Sequence, residues 1–398
     1  MFLDLIRRRN PALIEQSIAL HQSGKLPANA YVIDLDAVEA NARLIAEAAA
    51  GQGLKVYAMT KQMGRNASYC QAAMRGGIGK AVAVDMECAR ATHRAGMDLG
   101  HIGHLVQIPR AEADAAASMK PDHWTVFNME KAAEAAEANR KRGQTQGLLA
   151  RIAAEGDRFY RGHEGGFAAA EIVAVADRLD ALDGARFAGV TTFPALLFDD
   201  ATGKVKPTPN LTTLERAAEA LAKAGRKNIE INTPGTTSST VLGALAAAGA
   251  TQVEPGHGLT GTTPLHAIED LPERPAVVYL SEVSHLHGHE AFCFGGGLYI
   301  DPVFPAYKVS AFVSSEPTSS IAALAPVDIP PPSAIDYYGM IDATGPVKPR
   351  VGDSVVFGFR PQAFVTRAYV VGLRGLSTGA PVVETIHDAF GRPADWPM

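Results

Sequence analysis

Short apolar runs alternate with segments of helical character over the first two thirds of the chain. Residues that start or end helices separate these runs, with Asp85 and Asn128 as N-caps and a capping-box pattern at Thr212 and Glu215. Strands that alternate with helices predict a parallel sheet, and eight such units close into a (β/α)₈ barrel of the TIM type, an α/β fold. The eight predicted strands are residues 54–59, 81–84, 102–108, 124–127, 148–152, 187–191, 229–231 and 251–253.

The pattern changes near Arg274, where apolar and polar residues begin to alternate at 276–280, 307–313, 354–359 and 364–371. This two-residue period predicts a mostly β C-terminal domain, crossed by a long loop at 314–333. The early strand 31–35 belongs either to the β domain or to the edge of the barrel. The expected domains are an N-terminal helical extension at 1–30, a barrel at 31–270 and a β domain at 271–398.

Composition narrows the class of protein. A chain of 398 residues with 47% hydrophobic content can bury one large and one smaller core. Its net charge of -5 offers no basic surface for nucleic acid, and no apolar run approaches the roughly 18 residues that span a membrane. Three scattered cysteines do not predict disulfides, so we expect a cytoplasmic protein. Near the start, Asn10 and Pro11 predict a capped helix.

Lys61 stands where the first predicted barrel strand ends. The chemistry of such barrels lies on the loops that follow the carboxyl ends of the strands. A lysine in this position is a candidate for a Schiff base with an aldehyde. The alternative is an ordinary solvated lysine in a loop.

Two turns rich in glycine and hydroxyl side chains follow the seventh and eighth strands, at 232–240 and 255–258. Small residues before a helix present backbone N–H groups to an anion, and barrels often bind phosphate on the loops after these two strands. The alternative is that both segments are only helix caps and turns. The predicted phosphate-binding residues are Gly235, Thr236, Thr237, Gly256 and His257.

A lysine and a phosphate site at one barrel mouth are two requirements of pyridoxal 5'-phosphate, and the third is a group at the pyridine nitrogen. Glu254, at the end of the eighth strand, would keep that nitrogen protonated. The ring would then be a strong electron sink for a carbanion at the α carbon of a substrate. We therefore predict pyridoxal phosphate as the cofactor, the alternative for Glu254 being a solvated charge.

These segments resemble the fold-type III pyridoxal-phosphate enzymes, which include alanine racemase, eukaryotic-type ornithine decarboxylase and D-serine dehydratase. Residues 31–41 are similar to the opening strand and helix of the family, and 56–61 to its Schiff-base lysine strand. Residues 61–66 and 294–299 are similar to those of its YhfX-like subgroup. The resemblance implies a barrel with a β domain, Lys61 as the Schiff-base residue, and a homodimer that shares its active sites.

The departures from the family pattern bear on the reaction. Glu254 stands where alanine racemases carry an arginine and the decarboxylases carry a glutamate. However, no cysteine follows Cys293 to match the catalytic cysteine of the decarboxylases. The zinc-binding His-x-Cys pair of D-serine dehydratase corresponds to Gln362 and Phe364, which are poor zinc ligands. The resemblance therefore implies no metal in the site. The ring-stacking histidine of the family has no clear counterpart, and its place falls to Phe193 or Thr192.

Racemisation requires a second acid or base opposite Lys61, which in this family comes from the β domain of the partner subunit. We select Tyr338 and His287, with Tyr337 and His289 as alternatives. A guanidinium grips a carboxylate in two places, so Arg360, Arg161 and Arg367 are candidates for substrate binding. We expect an amino-acid racemase, an isomerase. The alternatives are a decarboxylase or lyase of the same fold, or a non-catalytic pyridoxal-phosphate carrier.

Three histidines at 285, 287 and 289 alternate along the chain and would share one face of a strand. They could bind zinc, as in a metal-dependent barrel hydrolase, or one could act as an acid or base. Gly288 between them instead suggests a hairpin with solvated histidines. We expect no metal there.

Overall fold

The computed structural model describes residues 2–299, 308–320 and 323–396. In these ranges the α-helices are α1 Phe2–Arg9, α2 Pro11–Gln22, α3 Leu35–Ala50, α4 Ala67–Arg75, α5 Met86–Arg94, α6 Ala113–Ser118, α7 Met129–Arg140, α8 Ile172–Asp180, α9 Pro209–Lys223 and α10 Leu242–Ala247. The strands are β1 Ala30–Asp34, β2 Lys55–Val56, β3 Ala58–Met59, β4 Lys80–Ala83, β5 Asp98–Ile102, β6 His123–Val126, β7 Gln146–Ala153, β8 Phe167–Ala168, β9 Ala185–Thr191, β10 Leu196–Asp199, β11 Lys204–Pro207, β12 Glu230–Asn232, β13 Gln252–Val253, β14 Val277–His287, β15 Glu290–Phe294, β16 Ser310–Ser314, β17 Ala325–Asp328, β18 Tyr338–Asp342, β19 Ser354–Phe357, β20 Tyr369–Arg374 and β21 Val382–His387.

One compact unit, here called the barrel unit, consists of Ala42–Thr60 and Ala73–Gly258. Its parallel strands follow the order β2-β13-β12-β9-β7-β6-β5-β4-β3. Because β2 and β3 lie at the two ends of this order and only Tyr57 separates them along the chain, the nine segments form a nearly closed barrel. The prediction of a TIM-type barrel is confirmed.

Seven of the eight predicted strands overlap their observed strands closely, whereas the third shares only Ile102 with its observed strand. It was predicted at 102–108, but β5 ends at Ile102. The apolar residues that suggested a later strand lie in a loop, where 51% of Val106 is exposed. This error excluded His101 from the predicted strand.

Of the three helix starts predicted in the barrel unit, two are confirmed and one is wrong. The side chains of Asp85 and Asn128 accept the backbone N–H groups of Cys88 and Lys131 at 2.7 Å and 2.9 Å, so both N-caps are confirmed. The capping box at residues 212 and 215 is wrong, because α9 begins at Pro209 and contains both residues.

The second compact unit, here called the β unit, consists of Met1–Asn41, Lys61–Ala72 and Leu259–Met398. Its sheet has the order β15-β18-β17-β16-β19-β14-β1-β20-β21, and β15 also pairs with β14. That extra pairing closes β14 to β19 into a six-stranded antiparallel barrel. The C-terminal part is therefore an antiparallel β domain, as predicted, although β17 lies within the segment predicted as a loop at 314–333.

The early strand joins this sheet, because β1 pairs with β14 antiparallel and with β20 parallel. The chain is thus divided differently from the predicted ranges 1–30, 31–270 and 271–398. Helices α1 and α2 contribute Ile6, Ile14 and Ile18 to a buried core with Phe312 and other sheet residues.

Two further expectations concern local chemistry. Pro11 begins α2 as predicted, but Asn10 does not cap the helix with its side chain. Its Nδ2 instead donates to Asp34 Oδ2 at 2.8 Å and to the Pro275 carbonyl at 2.9 Å. The three cysteines are buried and form no disulfide. Among the helices of the described residues, none is both long and apolar enough to cross a membrane.

Candidate active site

A cluster of buried polar side chains lies where barrel strands end. Glu254 follows β13 and is 4% exposed. Its Oε1 accepts hydrogen bonds from His101 Nδ1 at 2.6 Å and from Asn232 Nδ2 at 3.0 Å. Its Oε2 lies 3.2 Å from Nε2 of His104. These four residues, here called the histidine–glutamate cluster, come from the carboxyl ends of β5, β12 and β13 and from the loop after β5.

Glu254 is ionised in this cluster. Burial by itself would raise the pKa of Glu254, but His104, His101 and the hydrogen bond from Asn232 outweigh burial, so the pKa lies below its usual value. A carboxylate only accepts hydrogen bonds, so His101 Nδ1 is the donor. The other ring nitrogen of His101 is hydrogen-bonded to the Thr125 hydroxyl.

One oxygen of this buried carboxylate has an unfilled acceptor position. No described residue donates a hydrogen bond to Glu254 Oε2, although His104 lies within ion-pair distance. An unfilled acceptor on a buried anion suits a cationic N–H group. A protonated pyridine nitrogen has that character, so Glu254 fits the ring of pyridoxal phosphate.

The two predicted phosphate loops lie against each other. A Cβ at Gly258 would be 2.5 Å from the Thr237 carbonyl oxygen, so this contact requires glycine. Gly235 approaches β10 equally closely, since its Cβ would be 2.5 Å from the Leu196 carbonyl oxygen. That same oxygen accepts the backbone N–H of Thr236 at 3.1 Å. The Thr236 amide is therefore already used within the loop.

Lys61 begins a 3₁₀ turn, Lys61–Met63, two residues after β3. Its Nζ lies 4.9 Å from the centroid of the Phe364 ring, a cation–π contact within the β unit. Phe364 lies on another 3₁₀ turn, Ala363–Val365. Phe364, which stands at the place of a zinc ligand in D-serine dehydratase, is thus an apolar neighbour of Lys61.

The histidines of the β unit form a hairpin, as Gly288 suggested, and do not share one strand face. His285 and His287 lie on β14, whereas His289 lies in the turn between β14 and β15. The His285 ring stacks on Phe292 with centroids 4.6 Å apart, and the Tyr338 ring meets it edge-on at 5.1 Å. His287 pairs with Glu290 and Tyr338 with Phe294, at the two ends of β15, so the structure does not bring these two predicted acid/base residues together.

The predicted substrate arginines occupy different settings. Arg161 is exposed in the loop after β7, and Arg360 is half-buried after β19. Arg367 is already paired with Asp336 at 2.9 Å. Gly256 and His257 are buried in the turn after β13.

Sequence reasoning missed a buried arginine on β7. Arg151 is 1% exposed, donates to the Gly165 carbonyl at 3.1 Å and contacts the Phe127 ring at 4.7 Å. No carboxylate of a described residue pairs with it, and burial lowers the pKa of Arg151 to about 10. It remains a cation at neutral pH. An arginine inside the apolar run 148–152 was the signal available in the sequence.

Sequence reasoning also missed both histidines of the cluster. The His-x-x-His spacing of residues 101 and 104 was visible, but the displaced third strand hid it. Phe193, one of two residues suggested at the ring-stacking position, meets the His104 ring edge-on at 5.8 Å. The hydroxyl of the other, Thr192, accepts a hydrogen bond from Asn210 at 3.2 Å.

The cluster also has the composition of a metal site. Among the described residues, His101, His104 and Glu254 form a group whose ligand atoms all lie within 4.8 Å of one another. The histidines at 285, 287 and 289 do not form such a group.

Comparison with known families identifies the class of protein. Residues 33–264 match the alanine racemase N-terminal domain, and residues 278–383 match the YhfX-like C-terminal domain. The chain belongs to the alanine racemase-like family, whose members are fold-type III pyridoxal-phosphate enzymes. It is 39% identical over 391 residues to the uncharacterized protein YhfX of Escherichia coli (strain K12), covering 98% of this chain and 99% of that relative.

Solved structures share the fold at low sequence identity. D-threonine aldolase from Filomicrobium marinum has a TM-score of 0.66 at 16% identity and covers 93% of this chain and 96% of its own. Alanine racemase of Clostridium difficile 630 has a TM-score of 0.66 at 14% identity, and the match covers 92% of this chain and 99% of the racemase. D-threo-3-hydroxyaspartate dehydratase from Delftia sp. HT23 has a TM-score of 0.66 at 17% identity, and the match covers 90% of this chain and 97% of the dehydratase. These neighbours catalyse different reactions, so the shared fold does not determine the reaction of this chain.

Proposed function

We propose that this protein is a pyridoxal-phosphate-dependent amino-acid racemase with Lys61 as the Schiff-base residue. Family membership supports the cofactor, and the position of Lys61 just after the first barrel strand supports its role. The observation that carries the cofactor assignment is Glu254, a buried anion with one oxygen that accepts no hydrogen bond from the described residues.

Residues of the barrel unit are proposed to hold the cofactor. Glu254 accepts a hydrogen bond from the ring nitrogen, and the contacting turns at 235–237 and 256–257 bind the phosphate. The backbone N–H of Thr236 already donates to the Leu196 carbonyl of β10, so Thr236 contributes only its side-chain hydroxyl to phosphate binding. When bound, the cofactor withdraws electrons from the α carbon of an amino acid and makes its hydrogen acidic.

Two groups of the chain would then move that proton. The Lys61 amine takes or returns it on one face, and Tyr338 or His287 serves the opposite face from the β unit of a second subunit. Arg360 or Arg161 binds the substrate carboxylate. The working unit is accordingly a homodimer. Its three cysteines form no disulfide, which suits a reducing cytoplasm.

Covalent attachment tests the cofactor assignment. Borohydride reduction of the purified protein should fix the cofactor to the peptide that contains Lys61, as read by mass spectrometry. Lys61→Ala should lose both this label and the absorbance near the visible edge. Lys223→Ala, at a lysine whose side chain is 80% exposed, is the matched control and should keep both. A wild-type protein that binds no cofactor would refute the proposal.

Product analysis with single enantiomers tests the reaction. In deuterium oxide, a racemase yields the mirror-image amino acid with deuterium at the α carbon. Tyr338→Phe or His287→Gln should lower this rate by about 100-fold or more for whichever group is the second acid or base. Retention of full rate in both variants would exclude these two assignments.

A decarboxylase or lyase is the second candidate, favoured by the ionised Glu254, because a protonated ring stabilises a carbanion more strongly. Appearance of an amine or keto acid in place of the mirror-image amino acid would select it. Bound cofactor with no turnover of any amino acid would instead favour a carrier.

A further inference from the structure

The two carboxylate oxygens of Glu254 differ in the hydrogen bonds that they accept. Oε1 receives two hydrogen bonds, from His101 and Asn232, whereas Oε2 receives none from any described residue. The donors are themselves held in place: Asn232 Nδ2 also donates to Thr191 Oγ1 at 3.0 Å, and His101 Nε2 is bonded to Thr125. Strands β5, β6, β9 and β12 thus fix the orientation of one carboxylate.

A buried carboxyl group without such partners would be neutral. Removing its charge from water favours the protonated acid, and a protonated acid offers a hydrogen rather than an acceptor. The charge state of Glu254 therefore depends on the side chains around it.

We propose that His101 and His104 are positioning residues that hold Glu254 as a carboxylate with Oε1 saturated and Oε2 open. This inference rests on the proposed function and deepens it: the ligand group at this oxygen is a cationic heteroaromatic N–H. The bound cofactor ring should accordingly be protonated.

Hydrogen-bond geometry favours this assignment over a metal site. Two ligand atoms bound to one tetrahedral zinc ion lie more than about 3 Å apart, given bonds of about 2 Å. The His101 and Glu254 atoms are 2.6 Å apart, which is a charge-assisted hydrogen-bond length. Both ring nitrogens of His101 are also occupied by hydrogen bonds.

Other titratable groups lie near the cluster. Tyr57, between β2 and β3, has a raised pKa because of burial and of the charges of Asp122, Glu230 and Glu254, so it stays neutral. His123, on β6, interacts with His101, and burial lowers the pKa of His123 to about 4. Tyr57 and His123 are therefore both uncharged at neutral pH.

The first experiment uses the protein without cofactor. Carbon-13 NMR follows the titration of the Glu254 carboxyl, assigned with Glu254→Gln. His101→Leu removes the donor and should move the pKa of Glu254 from below the ordinary glutamate value to above it. His101→Asn places an amide N–H where Nδ1 was and should restore the low value. The corresponding pair at the second histidine is His104→Leu and His104→Gln, since an amide of glutamine can stand in for Nε2.

The second experiment uses the loaded protein with nitrogen-15 in the cofactor ring. The ring signal should be that of a protonated nitrogen in the wild type and in His101→Asn, and that of an unprotonated nitrogen in His101→Leu. His93→Gln, at an exposed histidine of α5, is the control and should match the wild type. Near-ultraviolet circular dichroism checks that each variant is folded.

The outcomes separate the two proposals. If the wild type binds no cofactor, the proposed function fails, and the titration of Glu254 alone decides the inference. Equal Glu254 titration in the wild type, His101→Leu and His104→Leu would overturn the inference even if the cofactor binds. One equivalent of zinc, lost in Glu254→Gln, would also overturn it and assign the three side chains to a metal.

Discussion

Acid sensitivity of the barrel unit should depend on one buried histidine. His123 is 6% exposed, and its Nδ1 lies 3.4 Å from the side-chain nitrogen of Gln252. Burial, and secondarily His101, lower the pKa of His123 from 6.5 to about 4. The unfolded chain therefore binds a proton on this residue at a higher pH than the folded chain does. His123→Gln removes that titration.

The size of the effect follows from the two pKa values. Above pH 6.5 the histidine is neutral in both states, and its contribution to stability is complete. As the pH falls from 6.5 to about 4, only the unfolded state is protonated, and stability declines by about 1.4 kcal/mol per pH unit. The full loss is about 3 kcal/mol.

Tryptophan fluorescence can report on the barrel unit alone. The chain has two tryptophans, and Trp124 lies on β6 in the barrel unit. In a Trp396→Phe background, urea unfolding followed by Trp124 gives the free energy of unfolding between pH 4 and pH 8. The wild-type curve should fall more steeply with acid than the His123→Gln curve. His93→Gln, at an exposed histidine, should follow the wild type.

Comparison of slopes removes the pH-independent cost of the substitution. If the free-energy difference between wild type and His123→Gln is the same at pH 7.5 and pH 4, the histidine does not titrate as argued. A difference that moves by about 3 kcal/mol would support the assignment.

Two further predictions concern packing and capping. Gly100→Ala places a Cβ into the ring of Tyr57 and should cost about 1–3 kcal/mol, measured by urea unfolding, whereas Gly243→Ala, with open space around its Cβ, should not destabilise the protein. Equal stability of the two variants would contradict this packing. Asp85→Ala loses the hydrogen bond to the Cys88 amide and should cost about 1 kcal/mol, while Asp85→Asn should retain most of it; an unchanged midpoint in Asp85→Ala would refute the cap.

Local patterns account for what was predicted correctly. The alternation of strands and helices is encoded within segments of about ten residues, so seven barrel strands and two N-caps could be located without tertiary contacts. The third strand failed because apolar residues in the following loop mimic a strand. Asn10 failed as a cap because its side chain bonds to residues far along the chain, at Asp34 and Pro275.

Periodicity and chain position are local properties, so the sequence alone was enough to order the barrel strands and to place Lys61 and Glu254 at strand ends. The tertiary structure alone decided what surrounds Glu254. His101 is 153 residues away along the chain, and only closure of the barrel brings the carboxyl ends of β5 and β13 together. The ionisation of a buried carboxylate depends on such neighbours, so the chemistry of this site appears only in the folded protein.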